Sequence, residues 1–488
     1  MSYIRPLDRN QFTMMNKLDD LIRPDHFVRL LDAFVDRIVT DNLDVFGVEA
    51  VGEVGHPHYS QATMLKQYFY GYIIGVQSSR KLETEGCRNI ELIWLLGTLS
   101  PDHWTIAHYR KTHSAQIKFA ATRLRQFLVD NGYIAGDRMA VDGSKFKANA
   151  SRDMLSAETI AKRFAQVEND LAQHLQTLAT NDRREDIIEE LDGDDAEREA
   201  ALMDKIAKLE TELDKLAGLN KTINETGQGH ISPADPDARL MRSRDGKMAA
   251  YNVQIVVDAK YHFIADSEVL TDANDSSALV VMAGSLVKEL GVTPKELAAD
   301  AGYYTPDDIE LVEARHGIAC VVPPPRLPQD ADGVTFVYDD VNDRYVCGQG
   351  KPLPLVQKNK PKGAAFINVY QGTQCDGCTL RTACTDSKHG RIINRYHNHA
   401  WRERFKERMK TYESRIAIAM RKCLVEHPFG TLKWLAGKIP LLMRGKDNVA
   451  TEINLMTTAY NLKRLFNVTS FDTLAAQFAL YDWRRATA

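Results

Sequence analysis

The segment RMAVDGSKFKA at residues 138–148 decides the fold class, because it interrupts a long helical pattern with a strand. Its apolar start predicts a short buried strand, and we expect Asp142 at the exposed end of that strand. The segments AAYNVQIVVD (249–258) and FIADSEVL (263–270) predict two further strands joined by a short turn. The chain is therefore predicted to have a mixed α/β core.

The rest of the core alternates between predicted helices and strands. A short apolar strand in LAADAGYY leads to Asp300, and VEHPFGTLKW carries Glu426 after a strongly basic helix. Pro428 leaves open whether Glu426 lies inside a helix or at the first turn of one. The expected elements are a helix at 276–290, a strand ending at Asp300, a strand at 317–323, a basic helix at 400–424 and a final amphipathic helix at 449–466.

The N-terminal residues 10–135 are predicted to be helical. The tripeptide SPD at 100–102 combines a capping hydroxyl, a first-turn proline and an acid near the positive end of the helix dipole. The helix that it begins carries Arg110 and Lys111, which we expect to contact DNA. A purely structural helical domain fits the same pattern equally well.

Residues 151–229 are predicted to form an acidic insertion of two long helices, at about 155–180 and 183–219. Apolar residues in the second helix follow heptad spacing, over a length too short for a long coiled coil. This pattern predicts an antiparallel helical hairpin or a dimer contact, and a helix lying on the body of the protein is the alternative. The apolar residues are Leu202, Ile206, Leu209, Leu213 and Leu216.

Length and composition suit a globular protein. The chain has 488 residues, of which 44% are hydrophobic and 26% charged, and its length allows two or three domains. No stretch approaches the roughly 20 uncharged apolar residues that span a bilayer, so we expect no membrane association. The N-terminus MSYIRPLDRNQF lacks the regions of a secretory signal, and a cytoplasmic protein is expected.

The charge is unevenly distributed along the chain. The net charge of -4 argues against a DNA-binding protein, but residues 151–228 hold 10 Lys+Arg against 19 Asp+Glu. Residues 385–445 hold 14 Lys+Arg against 5 Asp+Glu. The second segment offers the local positive field that phosphate contacts require, although a solvated helical surface has the same composition.

Three acids are candidate metal ligands: Asp142, Asp300 and Glu426. Functional side chains of α/β sheets converge near strand ends. Carboxylate oxygens suit Mg²⁺ or Mn²⁺, and two such ions can stabilise the attacking and leaving oxygens of a phosphodiester. Acids after strands are common, so the residue types alone leave this assignment open.

Four of the seven cysteines form a C-x27-C-x2-C-x5-C pattern: Cys347, Cys375, Cys378 and Cys384. Clustered cysteines with a C-x2-C element suit tetrahedral Zn²⁺, so we predict a structural zinc ribbon. Unliganded thiols in a loop are the alternative. The remaining residues Cys87, Cys320 and Cys423 are expected to be small buried hydrophobic residues.

Six segments in order resemble one family of enzymes. VDGSKFKANAS, YNVQIVVD, LAADAGYY and VEHPFGTLKW are similar to the catalytic-domain motifs of bacterial insertion-sequence transposases of the DDE class. VQSSRKLE (76–83) and PDHWTIAHYRK (101–111) resemble the helical N-terminal domain of the same enzymes. The resemblance implies an RNase H-like fold, binding to terminal inverted repeats, and metal-dependent DNA strand cleavage and transfer by Asp142, Asp300 and Glu426 with two Mg²⁺ or Mn²⁺ ions.

The resemblance also implies which cations contact DNA. Related enzymes place a basic residue seven positions after the Glu, where this chain has Lys433, and an Arg four positions before it, where Lys422 stands. The Tyr of that pattern is replaced by Ala419. The further candidate DNA contacts are Lys145, Lys147, Arg242, Arg244 and Arg421.

The resulting architecture is a mixed α/β protein with an RNase H-like core and two insertions. Its expected parts are a helical DNA-binding or dimerisation domain at 1–135, the core at 136–150, 230–330 and 396–488, the helical hairpin at 151–229 and the zinc-ribbon-like insertion at 331–395. We expect a homodimer that acts on double-stranded DNA at the nucleoid. An RNase H-like nuclease without strand transfer and a non-catalytic DNA-binding protein are the alternatives.

Overall fold

The computed structural model describes residues 17–47, 58–150, 154–185, 193–243, 246–324, 334–362, 365–436 and 440–484. These residues form a mixed α/β protein, as predicted. Among them, no helix has the combined length and apolar character needed to cross a membrane.

Helices precede the first strand, which confirms the prediction for the described part of 10–135. Residues 64–73 in the third of these helices are all buried, so this helix is enclosed on every side. The helices are α1 (Phe27–Asp41), α2 (Leu43–Phe46), α3 (Gln61–Ile73), α4 (Ser79–Arg88), α5 (Ile90–Leu95), α6 (His103–Thr112) and α7 (Ser114–Asp130).

The chain then enters the central sheet and the helical hairpin. In chain order the elements are β1 (Arg138–Lys147), β2 (Leu155–Ser156), α8 (Ala157–Glu185), α9 (Gly193–Thr226), β3 (His230–Ile231), β4 (Arg239–Ser243), β5 (Gly246–Asp258), β6 (Ile264–Leu270), α10 (Ala278–Leu290), β7 (Glu296–Ala298), α11 (Pro306–His316) and β8 (Ala319–Val321).

The central sheet combines antiparallel and parallel pairs in the order β5-β1-β7-β8, with β4 and β6 sharing the outer edge of β5. β1 pairs antiparallel with β5 over residues 139–147, and it pairs parallel with β7 over only 138–140. Asp142 therefore lies in the middle of a strand, and its expected place at a strand end was wrong. Pairing with β5 keeps the backbone extended for five residues beyond Asp142.

The C-terminal part adds a second sheet and the remaining helices. Its elements are β9 (Phe336–Asp339), β10 (Arg344–Cys347), β11 (Pro352–Lys362), β12 (Ala365–Gln371), α12 (Arg381–Cys384), β13 (Ile392–Tyr396), α13 (His399–Met409), α14 (Tyr412–Ala436), α15 (Lys446–Val468) and α16 (Phe471–Leu480). The second sheet has the order β13-β12-β11-β10-β9.

Two expectations for the C-terminal helices need correction. The basic helix expected at 400–424 is interrupted between α13 and α14, where the Thr411 hydroxyl accepts a hydrogen bond from the Ser414 N–H. The helix expected at 449–466 to be amphipathic is α15, which is buried almost all round because α3, α7 and β6 enclose it. Pro428 lies inside α14, so Glu426 is within a helix.

One hydrophobic core runs through most of the molecule, and two satellite cores lie outside it. The main cluster includes residues from Ile22 to Trp483, so the N-terminal helices and the central sheet share it. The hairpin of α8 and α9 has its own cluster, which confirms the predicted packing of the two helices. The second sheet has a third cluster built on Tyr345, Leu353 and Tyr370.

Candidate active site and cysteine cluster

The pairing of β1 with β7 brings Asp142 and Asp300 side by side. Ala140 pairs with Ala298 in the parallel ladder, and each aspartate lies two residues further along its chain. β7 ends at Ala298, so within the described residues no strand pairs with the edge of β1 beside Asp142 on that side. The two aspartates thus lie on neighbouring segments, near the point where β7 ends.

Asp142 is largely buried and lies among charged groups. Its Oδ2 is 3.1 Å from Nη1 of Arg421 on α14, and its Oδ1 accepts a 2.9 Å hydrogen bond from the Gly143 N–H. Burial raises the pKa of Asp142 to about 6, and the negative charges of Asp300 and Asp275 add to this shift. The Arg421 guanidinium opposes it. A cation here would relieve repulsion between like charges.

Asp275 belongs to this site and was missed from the sequence. Its Oδ1 accepts hydrogen bonds from Asn252 Nδ2 at 2.7 Å and from Gln254 Nε2 at 2.8 Å. Lys145 Nζ lies 3.5 Å from the same oxygen. The hydroxyl of Tyr303 in turn donates to Gln254 Oε1. Asp275 is therefore held in a fixed orientation by side chains of β1 and β5.

Two glycines leave space for the acidic side chains of this site. An added Cβ at Gly143 would lie 2.2 Å from Gln254 Nε2 and 2.8 Å from Asp275 Oδ1, so no larger residue fits there without rearrangement. An added Cβ at Gly302 would lie 2.9 Å from Asp300 Oδ1 and 3.9 Å from Asp275 Oδ2. The carboxylates of Asp300 and Asp275 therefore border the same small space.

Glu426 lies on the exposed side of α14. Its side chain is 64% exposed, and its Oε1 is 3.8 Å from Nζ of Lys422. Arg421, which reaches Asp142, is five positions earlier and so points in a different direction at about 100° per residue. Within the described chain, the oxygens of Asp142, Asp300 and Glu426 do not form a group within 4.8 Å of one another. Asp275 likewise forms no such group with Asp142 and Asp300 among the described residues, so the evidence that the two aspartates are near each other is the strand register and the effect of Asp300 on the pKa of Asp142.

The predicted DNA-contacting cations differ in how much surface they offer. Lys145 is 20% exposed and faces Asp275, while Arg421 is 15% exposed and faces Asp142, so both lie within the acidic site. Arg244 falls outside the described residues. The exposed candidates are Lys111, Lys147, Arg242, Lys422 and Lys433.

Arg110 has a structural position instead of the expected contact with DNA. The residue is 6% exposed, and its guanidinium donates to the Tyr72 hydroxyl and the Gln77 carbonyl, both at 3.3 Å. Burial raises the pKa of the nearby Glu452, and the charge of Arg110 opposes this shift. A guanidinium enclosed in this way cannot reach a phosphate, so the prediction for Arg110 was wrong.

The four clustered cysteines gather around one small cavity of about 40 Å³. All four are free thiols, and burial together with the neighbouring thiols raises the pKa of Cys384. Among these residues no three sulfurs lie within 4.8 Å of one another. The cavity has room for a single ion or water, and thiolates are ligands that Zn²⁺ prefers.

The other cysteines only partly follow the prediction. Cys320 is buried, and this burial raises its pKa to about 12. Cys87 and Cys423 are exposed, so their expected burial was wrong.

A separate group of possible metal ligands lies where α11 meets the start of α13. Within the described residues, Asp307, Glu310 and His397 each offer one ligand atom, all within 4.8 Å of one another. Asn398 Nδ2 donates to Asp307 at 2.8 Å and to Glu310 at 2.6 Å, and Arg402 Nη2 lies 3.0 Å from Asp307. Asn398 and Arg402 thereby link α11 to the start of α13 through these acids.

Comparison with known protein families finds two matches. Residues 346–466 match the family described as Transposase DDE domain, and residues 16–112 match the family described as Transposase domain (DUF772). No curated protein and no solved structure matches the chain. The first match contains the cysteine cluster and Glu426, whereas Asp142 and Asp300 lie between the two matched segments.

Proposed function

Because the chain belongs to the DDE transposases of insertion sequences, we propose that it cuts DNA at the two ends of such an element and joins these ends to target DNA. The observation that supports this proposal is the register of β1 and β7, in which Ala140 pairs with Ala298, two residues before Asp142 and Asp300 respectively. Glu426 is the third acid of the proposed site, and the terminal inverted repeats are its proposed substrate.

The donor atoms of this site fit a divalent cation. Asp142, Asp300 and Asp275 offer only carboxylate oxygens, which are the ligands that Mg²⁺ and Mn²⁺ prefer. Burial raises the pKa of Asp142, the negative charges of Asp300 and Asp275 add to this shift, and a cation between the carboxylates would oppose both effects. Bound there, a pair of these ions would activate water and stabilise negative charge on the phosphate. We propose Asp275 as an additional ligand or as the residue that orients the ligands.

The chain's own residues position the DNA for two successive reactions. In the first, water attacks the phosphorus at an element end, the bond to the 3′ oxygen breaks, and that oxygen leaves as a 3′-OH. In the second, the 3′-OH attacks a target phosphodiester, whose own 3′ oxygen leaves. Lys422 and Lys433 lie four and seven positions from Glu426, on one face of α14, and would hold the phosphates near it.

The strand order supports an RNase H-like core. β6, β5 and β1 form consecutive antiparallel pairs, and β1, β7 and β8 form consecutive parallel pairs. In this arrangement the first acid lies on β1 and the second follows the neighbouring parallel strand, where functional residues of such sheets gather. We propose this core for residues 136–150, 230–330 and 396–488, with the other segments as insertions.

The test uses the purified chain and linear DNA that carries the sequences flanking its reading frame. With Mg²⁺ we expect cleavage that leaves a 3′-OH, followed by joined products with a second DNA, and with EDTA we expect neither. Cleavage without joining would instead support a nuclease. Binding with neither reaction would overturn the enzymatic proposal.

The cysteine cluster supports a second, structural metal. We propose that Cys347, Cys375, Cys378 and Cys384 hold one Zn²⁺. Cys378→Ser should lower the zinc content of the purified chain from about one per chain, whereas Cys423→Ser, at an exposed cysteine outside the cluster, should not. Equal zinc contents in both variants would exclude this site.

The oligomeric state and cellular setting follow from the substrate. An insertion sequence has two ends, and each end needs a catalytic site, so we propose that the chain works as a homodimer on the bacterial chromosome. Light scattering of the chain with and without DNA ends would measure this. A monomer in both conditions would contradict it.

A further inference from the structure

One side of α14 packs against strands of the central sheet. From residue 417 onwards, the buried residues of this helix are apolar and recur at helical spacing, and they include Ala417, Leu424, Val425, Phe429 and Leu432. Arg421 fits the same spacing, four positions after Ala417 and three before Leu424, and its side chain is 15% exposed. In the described part of α14, the other Lys, Arg, Asp and Glu residues are all exposed. In that part of the helix, Arg421 is therefore the charged residue on the buried side.

The position of Arg421 is explained by its ion pair with Asp142. Buried charged side chains are usually paired with an opposite charge, because desolvation of a lone charge is costly. Nη1 of Arg421 lies 3.1 Å from Oδ2 of Asp142, whose side chain is 25% exposed. A guanidinium stays protonated in proteins, so this pair cannot be broken by loss of its proton. The pair persists until another cation binds Asp142 or another anion attracts Arg421.

This ion pair engages the atoms that a divalent cation would need. Oδ1 of Asp142 accepts a 2.9 Å hydrogen bond from the Gly143 N–H and Oδ2 faces Arg421, so both oxygens already have a partner. Mg²⁺ binds carboxylate oxygens at about 2.0–2.1 Å, which would place its charge close to the guanidinium. Two positive charges at such a short separation repel each other strongly in a partly buried site. Arg421 and the cation therefore compete for Asp142.

The rotation of α14 that brings Arg421 to Asp142 also turns Glu426 away. Five positions separate Arg421 from Glu426, which corresponds to about 140° around the helix at about 100° per residue. The Glu426 side chain is accordingly 64% exposed, and Nζ of Lys422 lies 3.8 Å from its Oε1. The ion pair at Asp142 and the exposure of the third proposed acid are thus two results of one helix orientation.

We propose that Arg421 is a positioning residue that takes the place of a cation at Asp142 and lowers the affinity of the DNA-free chain for divalent ions. In that chain the guanidinium neutralises the carboxylate, and it must move away when a divalent ion binds there. A phosphate of bound DNA would offer the displaced guanidinium another anion. This inference rests on the proposed function and adds the residue that restrains cation binding before DNA is bound.

The experiment measures Mn²⁺ binding to the DNA-free chain at pH 8, from the electron paramagnetic resonance signal of free Mn²⁺. Arg421→Gln should bind Mn²⁺ at least about tenfold more tightly than the wild type, because the competing charge is absent. Arg421→Met should show the same gain, and its apolar side chain suits the buried side of α14, which keeps the test valid if glutamine disrupts the fold. Arg421→Lys keeps the charge and should stay within about threefold of the wild type.

Two further variants assign the effect to Asp142. Arg415→Gln removes an exposed arginine of the same helix and should leave the Mn²⁺ affinity unchanged. Combining Arg421→Gln with Asp142→Asn should abolish the gain, because the carboxylate that Arg421 faces is then absent. Equal affinities of the wild type and the folded Arg421→Gln and Arg421→Met variants, or a gain that persists with Asp142→Asn, would overturn the inference. Cleavage by the wild type is measured separately, so this result leaves the proposed function standing, and a wild type that binds Mn²⁺ without cutting DNA would contradict the proposed function alone.

Discussion

The acids of the candidate site are positioned in two different ways. Asp142 lies on β1, and Asp300 follows two residues after the end of the neighbouring parallel strand β7, so the backbone pairing of β1 with β7 brings the two segments together. Glu426 lies on the exposed face of a helix, where Lys422 at 3.8 Å is its ion-pair partner. The strand pair is thus fixed by the fold itself, whereas the helical acid has freedom to turn.

This difference indicates how the site is completed. An exposed glutamate keeps several rotamers, so its orientation depends on what binds beside it. Burial, together with the negative charges of Asp300 and Asp275, raises the pKa of Asp142 in the folded chain. We therefore expect Asp142 and Asp300 to bind the cation first, and Glu426 to complete the site when DNA and cation are both present.

The largest effect on DNA cleavage is expected from substitution of Asp142 or Asp300. Asp142→Asn or Asp300→Asn should reduce strand cleavage by about a thousandfold or more, because each removes a charge that holds the cation. The urea midpoint of either variant should stay within the wild-type range or rise, since repulsion is relieved. The exposed Asp44→Asn is the control and should cleave normally. Normal cleavage by Asp300→Asn would show that the Asp300 carboxylate is not needed for catalysis.

Glu426 should matter less to the assembly of the site and still matter to catalysis. Glu426→Gln should reduce cleavage by about a hundredfold with a change in unfolding free energy below about 0.5 kcal/mol, because the side chain is exposed. Glu413→Gln, at another exposed position of α14, should have no effect on either quantity. Equal activity of the two variants would remove Glu426 from the site.

The packing of the side chains around Gly143 can be tested by adding one methyl group there. Gly143→Ala should lower the free energy of unfolding by about 1–3 kcal/mol, because its Cβ would collide with Gln254 and Asp275. Gly284→Ala, on α10 with nothing within 4 Å of the added Cβ, should raise it slightly. Urea unfolding measures both. If Gly143→Ala left the free energy of unfolding unchanged, the side chains around Gly143 would be loosely packed.

The smallest expected effect is a pH dependence of stability without divalent ions. The pKa of Asp142 is about 6 in the folded chain and near 3.9 in an unfolded one. This residue's contribution to stability is therefore present at low pH and is lost as the pH rises through 6. Between pH 5 and 7 the wild type should lose about 1 kcal/mol relative to Asp142→Asn in urea unfolding with EDTA. If the unfolding free energies of the two proteins depended on pH in the same way, the raised pKa of Asp142 would be contradicted.

The sequence predicted the two strands that lead to the aspartates, β1 and β7. Apolar segments followed by an acid predicted β1 with Asp142 and β7 with Asp300, and parallel pairing then brings such residues together. Asp275 could not be found in this way. It lies in the polar segment TDANDSS before α10, and its contacts with Asn252 and Gln254 exist only once β5 has paired with β1.

Burial was the property that the sequence predicted least well. Arg110 and Lys111 are adjacent basic residues on one helix, yet the first is buried against Tyr72 and the second is exposed. Helical periodicity cannot decide which polar residue a neighbouring helix will cover. The same reason explains α15, whose polar residues are buried because three elements surround it.

The helical hairpin has a consequence for the history and engineering of the chain. Leu155 pairs with Ile231 at its base, so the two ends of the hairpin lie as close as facing residues of adjacent strands. Its core is separate from the main one. If the hairpin of α8 and α9 were deleted, a short turn could join its two ends. A reporter domain whose termini lie close together could also replace the hairpin without disrupting the main core.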